Sequence, residues 1–232
     1  MAGAILLAPM SAEATRQTLL DAAEALYAEH GYAATTMRQL TTLAGANLAA
    51  VSYHFGGKEE LTKAALLRRI EPINRERLRR LDALGEQVGD VDAILRAFLA
   101  PVLHAVGPAT DAPTAVRMFG RLLAEQPPFL RPFLAERFGA VMRRFSRALH
   151  LALPHLDRAA VAWRLHFSIG AMAHVLHHAP TIAHLTQGLC DPMDADALLD
   201  QMTEFLSHGF AAPCPGHGRP LRSVRRANGR RR

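Results

Sequence analysis

Residues 47–54, Asn-Leu-Ala-Ala-Val-Ser-Tyr-His, set an amide, a hydroxyl, a phenol and an imidazole beside two alanines. Read as a helix, Leu48 and Val51 stand at i and i+3 and offer an apolar face to a core. Ala49, Ala50, Ser52 and Tyr53 then fall on the other face. Small side chains let a helix approach base-pair edges, and hydroxyls can bond bases or phosphates. That is the chemistry of reading duplex DNA.

Catalytic chemistry is poorly supplied. His174 and His178 have the i, i+4 spacing of a helix-borne metal pair. No His-Glu-x-x-His string accompanies them, and no Cys or Asp shares their face. His166 follows Trp163 by three and could line an interior. The chain has no nucleophile–base pair, no paired carboxylates and no phosphate-cradling glycine loop. It therefore reads as a binding protein with no cofactor and no metal. A metal-dependent helical enzyme is the poorer alternative.

The elements around residues 47–54 would place that face correctly. Thr36 with Gln39 three residues on forms a capping box, so a helix starts there. Leu40 and Leu43 give that helix its apolar face. Gly45, in Ala44-Gly45-Ala46, suits a left-handed turn. Asn47 is a good N-cap for the next helix. Two short helices about a tight turn make a helix-turn-helix.

The same segment resembles the DNA-binding head of TetR-type transcriptional regulators. The resemblance rests on Thr36-Met37-Arg38, the turn Ala44-Gly45-Ala46, Tyr53-His54-Phe55 and Lys58-Glu59-Glu60-Leu61. Tyr-His-Phe-x-x-Lys-x-x-Leu is specific to that family. Asn47–Val51 and Trp163–Phe167 look like the fatty-acid-responsive subgroup. The resemblance implies that Thr36, Tyr53 and Lys58 touch phosphate, and that Arg38 meets a base edge or a phosphate. Asn47, Ala50 and Ser52 become the base readers, with Ala49 beside them. His54 is a contact or a packing residue, while Phe55 packs the head onto the next helix.

The bulk composition fits this reading. Half the residues are hydrophobic, which is ample for a core. Ala and Leu dominate, and no strand-like alternation or hairpin signal appears. The fold class is all-α. No apolar run reaches the roughly 18 residues needed to span a bilayer, so no membrane partner is expected. Met1–Met10 is apolar but short and lacks a basic flank, unlike a signal peptide. Ala2–Pro9 reads as a disordered leader ahead of a start at Met10. Cys190 and Cys214 suggest no disulfide framework, consistent with a cytoplasmic protein. The net charge of +6 is carried by Gly216–Arg232, which holds seven arginines and no acid. Without that segment the chain has 20 basic and 21 acidic residues, a net charge of −1. The tail reads as disordered and could bind nucleic acid non-specifically, which is the alternative function.

Periodicity and breakers divide the chain into nine helices. The head spans 11–57, a helical body 58–212 and the basic tail 213–232. Helix 1 stops at Gly31; helix 4 runs to about Ala83 and should bend or split at Pro72. Its run Arg68-Arg69…Arg75-Glu76-Arg77…Arg79-Arg80 reads as a solvated face with i, i+4 pairs. A loop is expected at Gly107–Pro113 and another at Thr181–Pro192, after Pro180 closes helix 8.

Helices 8 and 9 are apolar on more than one face, so they should be buried against something. The family implies a homodimer paired through them as a four-helix bundle. Val161, Leu165, Gly170, Met172, Leu198, Met202 and Phe205 are the candidate interface. The family also implies an effector cavity. Its candidate walls are Phe98, Val102, Met118, Phe119, Leu122, Phe133, Phe138, Met142, Phe145, Trp163 and Phe167. Arg117 and Arg121, at i and i+4, could pair with an anionic headgroup. The whole reads as a ligand-responsive DNA-binding regulator. It would bind a pseudo-palindromic double-stranded operator as a homodimer. A hydrophobic small molecule, an acyl chain or an aromatic, would release it.

Overall fold

Side-chain caps begin six of the helices and fix where the chain turns. Ser11, Thr36, Asn47, Asp90, Asp157 and Asp194 each accept a backbone N–H from the first turn that follows. The computed structural model describes residues 11–85, 89–106 and 112–214. Those residues form ten α-helices and a short 3-10 turn, with no strand among them. The head helices are α1 (Ala12–Ala34), α2 (Met37–Ala44) and α3 (Leu48–Phe55). The long α4 (Lys58–Ala83) leads to α5 (Val91–Leu103) and the 3-10 turn His104–Val106. After them come α6 (Ala112–Glu125), α7 (Leu130–Ala152), α8 (Arg158–His177), α9 (Ala179–Leu185) and α10 (Ala195–Ala211).

Several boundaries differ from the sequence reading, each for a local reason. Gly31 does leave helical geometry, with φ 81°, but α1 resumes for one more turn to Ala34. Pro72 sits inside α4 without splitting it. Pro180 does not end helical structure. It occupies the first turn of the added helix α9, where its missing N–H would have had no partner. The loop expected from Thr181 is therefore partly helical. The final helix starts at the Asp194 cap rather than at Met193. The leader Ala2–Pro9 and the tail from Gly216 lie outside the described residues, as does the Gly107–Pro113 loop up to residue 111. Ala112 and Pro113 already belong to α6.

The apolar residues form two clusters. One gathers Leu19, Tyr27, Leu40, Val51, Leu61 and Leu66 of α1–α4 around Met118 and Leu122 of α6 and Phe133 of α7. The other joins Leu81, Phe98, Phe145, Val161, Leu165 and Phe210 from α4, α5, α7, α8 and α10. The head core is thus completed by α6 and the start of α7. Leu43 and Leu48, expected inside it, are each 57% exposed. At the centre Tyr27 is fully buried and accepts a hydrogen bond from Thr62 Oγ1 at 2.9 Å. Burial pushes its phenol up to about 12, against a lowering contribution from Thr62.

Charge on α4 is spent in three ways. Arg79 and Arg80 pair with Glu76 at i, i+3 and i, i+4 spacing, as expected. Those hydrogen bonds hold the Glu76 carboxyl down at about 2. Arg68 and Arg69 instead reach across to α1. Both grip the buried Glu24, and Arg68 also meets Asp21 at 2.7 Å. Arg77 is not on a solvated face at all, being only 4% exposed.

Candidate nucleic-acid interface

The capping box predicted at the start of α2 is complete. Thr36 Oγ1 accepts from Gln39 N at 3.2 Å, and Gln39 Oε1 accepts from Thr36 N at 2.7 Å. Gly45 takes φ 62° and returns its N–H to the end of α2, turning the chain sharply. Asn47 Oδ1 then caps α3 by accepting from Ala50 N at 2.8 Å. Of α3, only Val51 is buried. Its outward face therefore carries Asn47, Leu48, Ala49, Ser52 and Tyr53, with Tyr53 at 81% exposure. Arg38 is exposed on α2. Ala50 is half-buried against the head core.

Three predicted contacts are already engaged within the chain. Thr36 and Asn47 serve as caps, although both stay exposed. Lys58 is turned inward. Its Nζ donates to the Tyr32 carbonyl at 2.5 Å and lies 4.1 Å from the Tyr32 ring centre. Burial lowers the pKa of that ammonium, while Glu125 works the other way. A phosphate contact by Lys58 would require it to leave this seat. His54 is half-buried, its ring 5.0 Å from Tyr53 and 6.2 Å from Phe55. Phe55 packs on the head core with Arg16 over its ring.

Beside the head, α6 is clasped to α1. Glu125 Oε2 accepts from Ala33 N at 2.8 Å, and Arg121 Nε donates to the Ala28 carbonyl at 3.0 Å. Any shift of α6 must strain or drag the head. Sequence spacing had offered Arg121 as a ligand for an anionic headgroup. The structure gives it to the α1 backbone instead, and leaves Arg117 exposed beside Thr114.

The candidate effector walls divide between the two apolar clusters and the surface. Phe98 and Phe145 meet edge-on at 5.0 Å, with Val102 and Met142 packed on their cluster. Met118, Phe119, Leu122, Phe133 and Phe138 belong to the other cluster, under the head. Trp163 and Phe167 are not interior. They stack on each other at the surface, 64% and 62% exposed. The reason is helical phase. Val161, Leu165, Ser168 and Met172 form the buried stripe of α8, and residues 163 and 167 lie off it. The same phase divides the interface set. Val161, Leu165, Met172 and Met202 are consumed by the chain's own core, while Gly170 and Phe205 face outward and Leu198 is half-buried. His166 is also exposed. His174 and His178 stack at 4.4 Å, and among the described residues no group of three or more potential ligands could hold a metal. No described helix is long and apolar enough to cross a membrane.

Two family models match the chain. Residues 19–65 match "Bacterial regulatory proteins, tetR family", the span from α1 through the start of α4. Residues 96–209 match "Tetracyclin repressor-like, C-terminal domain", from α5 to the last turns of α10. The chain belongs to the TetR family of transcriptional regulators. The HTH-type transcriptional repressor Rv3405c of Mycobacterium tuberculosis is 29% identical over 170 residues, covering 68% of this chain and 76% of that one. The likeness to the repressor AcnR of Corynebacterium efficiens is confined to the head. It is 43% over 47 residues, 20% of this chain, and spans only 25% of that protein. In fold, the chain is similar to the fatty acid degradation regulator FadR of Bacillus halodurans. The TM-score is 0.60 at 16% identity, over 84% of this chain and 95% of that one. For this TetR-family protein, Glu24, Arg77 and Glu125 escaped the sequence reading. Each makes its contact with another helix, and no local spacing announces such partners.

Proposed function

We propose that this protein is a homodimeric repressor that reads a pseudo-palindromic operator through α2 and α3 and is released by a hydrophobic small effector. The observation that carries the reading is the face of α3. Its single buried residue is Val51, and Leu48, Ala49, Ser52 and Tyr53 are exposed. Ala49 and Ser52 allow close approach to base edges, and Leu48 suits a thymine methyl. Tyr53 and Arg38 supply a hydroxyl and a guanidinium for phosphate or base. Two such helices, one per protomer, would enter successive major grooves about one helical turn apart.

The outward faces of α8 and α10 support the dimer. Trp163, Phe167 and Phe205 are large, apolar and mostly exposed in the single chain. A patch of that kind is a usual mark of an interface. The clasp of α6 on α1 supports regulation. An effector that favours a shifted α6 would move Glu125 and Arg121, and with them the spacing of the two heads. It would act only through its different affinity for the two arrangements. The test is binding to a duplex enriched from a random pool. The S52A/Y53F variant should lose most affinity for that duplex while keeping wild-type stability. Undiminished affinity would place the reading surface elsewhere.

A further inference from the structure

Among the described residues, Arg77 of α4 is a cation without an acid partner. It is 4% exposed, and burial alone pushes its pKa down to about 10, with no neighbouring charge contributing. Its Nε donates to the Phe98 carbonyl at 2.8 Å, and the guanidinium lies 4.2 Å from the centre of the Phe98 ring. Nη1 has only a long 3.5 Å contact with Asn74 Oδ1. Nη2 donates to no group among the described residues. A buried guanidinium ordinarily meets a carboxylate that matches its fork, because an unanswered buried charge is costly. The buried charge facing this helix obeys that rule, with Glu24 of α1 gripped by the half-buried Arg68 and Arg69.

Asn74 separates Arg77 from a cleft between α4 and α7. The cleft has a volume of about 450 Å³ and an apolar floor of Ile70, Leu78 and Val141. At 8% exposure, Asn74 forms part of its wall and donates to the Arg137 carbonyl at 3.2 Å. At the mouth, Arg75 and Arg137 are offset by Glu71 and Glu136, so the rim itself favours neither sign of charge. Selectivity for an anion has to come from deeper, where Arg77 waits behind one weakly held amide.

We propose that Arg77 anchors a carboxylate-bearing small molecule whose apolar portion lies in the α4–α7 cleft, with Asn74 turning aside to admit the headgroup. The carboxylate would take Nη1 and Nη2 together and supply the missing counter-charge. This names the ligand class for the effector site proposed above, and its link to DNA release rests on that reading. Binding itself does not.

The test is calorimetry of the full chain with octanoate and with 1-octanol, which share a tail and differ in charge. Wild type should bind octanoate at least tenfold more tightly than octanol. R77M should abolish that preference, and without ligand it should melt no lower than wild type, since an unpaired buried charge has been removed. A140W blocks the cleft from an exposed position and should fold normally while losing octanoate. Equal binding of the two probes, binding of neither, or octanoate preference retained in R77M or A140W would each overturn the proposal. A fall in the ligand-free melting temperature of R77M would do the same, because it would make Arg77 a structural tie between α4 and α5. Titrating octanoate against the DNA complex separates the two readings. Octanoate that binds without loosening DNA keeps the anchor and removes the effector role. A duplex released by other compounds, with no octanoate binding, keeps the effector role and removes the anchor.

Discussion

Glu125 of α6 holds the backbone N–H of Ala33 at 2.8 Å, two residues past the bend of α1 at Gly31. The carboxylate occupies the space a side chain at Gly31 would need. A Cβ built there falls 1.7 Å from Glu125 Oε1. This contact, with Arg121 on the Ala28 carbonyl, ties the helical body to the helix-turn-helix head. Removing it in E125A should cost about 1 kcal/mol of stability, since the carboxylate is exposed. The response of operator affinity to effector should fall by more than stability does. Melting curves and anisotropy titrations of the same preparations compare the two.

Substituting Gly31 probes the same contact from the other side. G31A suffers both the clash and a φ of 81° that alanine resists. It should destabilise by more than about 1 kcal/mol. In the double variant E125A/G31A the steric part should vanish and the backbone part remain. The double variant should therefore cost less than the sum of the two single variants, which a double-mutant cycle in urea measures.

Glu24 should be the most costly polar residue of the head. It is buried and serves two arginines of α4 at once. E24A leaves both without their shared partner and should cost about 3 kcal/mol. D21A, which removes an exposed carboxylate from Arg68, should stay within about 0.5 kcal/mol. Chemical denaturation of the two variants distinguishes them.

The recognition face should separate affinity from stability. L48A and Y53F change exposed side chains and should leave the melting temperature unaltered. Y53F should weaken operator binding by about 1 kcal/mol if its hydroxyl meets a phosphate. V51A, one turn along the same helix but fully buried, should lose about 2 kcal/mol of stability.

Helical phase makes a sharp prediction for the dimer. F167D and W163S alter the exposed face of α8 and should yield folded monomers by sedimentation. V161D, six residues before Phe167 but in the core stripe, should fail to fold. Folded dimers of F167D would move the interface off this face.

The Glu76 pair sets an acid limit. Its folded pKa of about 2 lies below the ordinary 4.5, so its contribution is full above 4.5 and disappears as pH falls towards 2. E76Q should flatten stability over that range, falling slightly below wild type above pH 4.5 and matching it near pH 2. Urea midpoints measured from pH 2 to 7 report it.

The head was legible because its signals are local. Thr36 with Gln39, Gly45 and Asn47 each act within four residues, and the structure uses all of them as the spacing suggests. The all-helical architecture followed from composition and breakers. What remained hidden needed partners far along the chain. Trp163 and Phe167 were assigned to an interior because aromatic residues at i, i+4 pack inward or outward equally well in sequence. Only the neighbours of α8 decide which face is which. Arg77 and its neighbours looked like one solvated run, whereas the α4 surface is split among three surroundings. Pro180 read as a stop because a proline after a helix and a proline opening the next one look alike.

The most direct test of a dimeric, sequence-reading regulator is selection of bound duplexes from a random pool, using the full chain at near-physiological salt. The account predicts enrichment of one palindrome, with half-sites about one helical turn apart. It also predicts that removal of Gly216–Arg232 leaves that preference intact. No enriched sequence, with binding that fades uniformly as salt rises and disappears with the arginine tail, would contradict it.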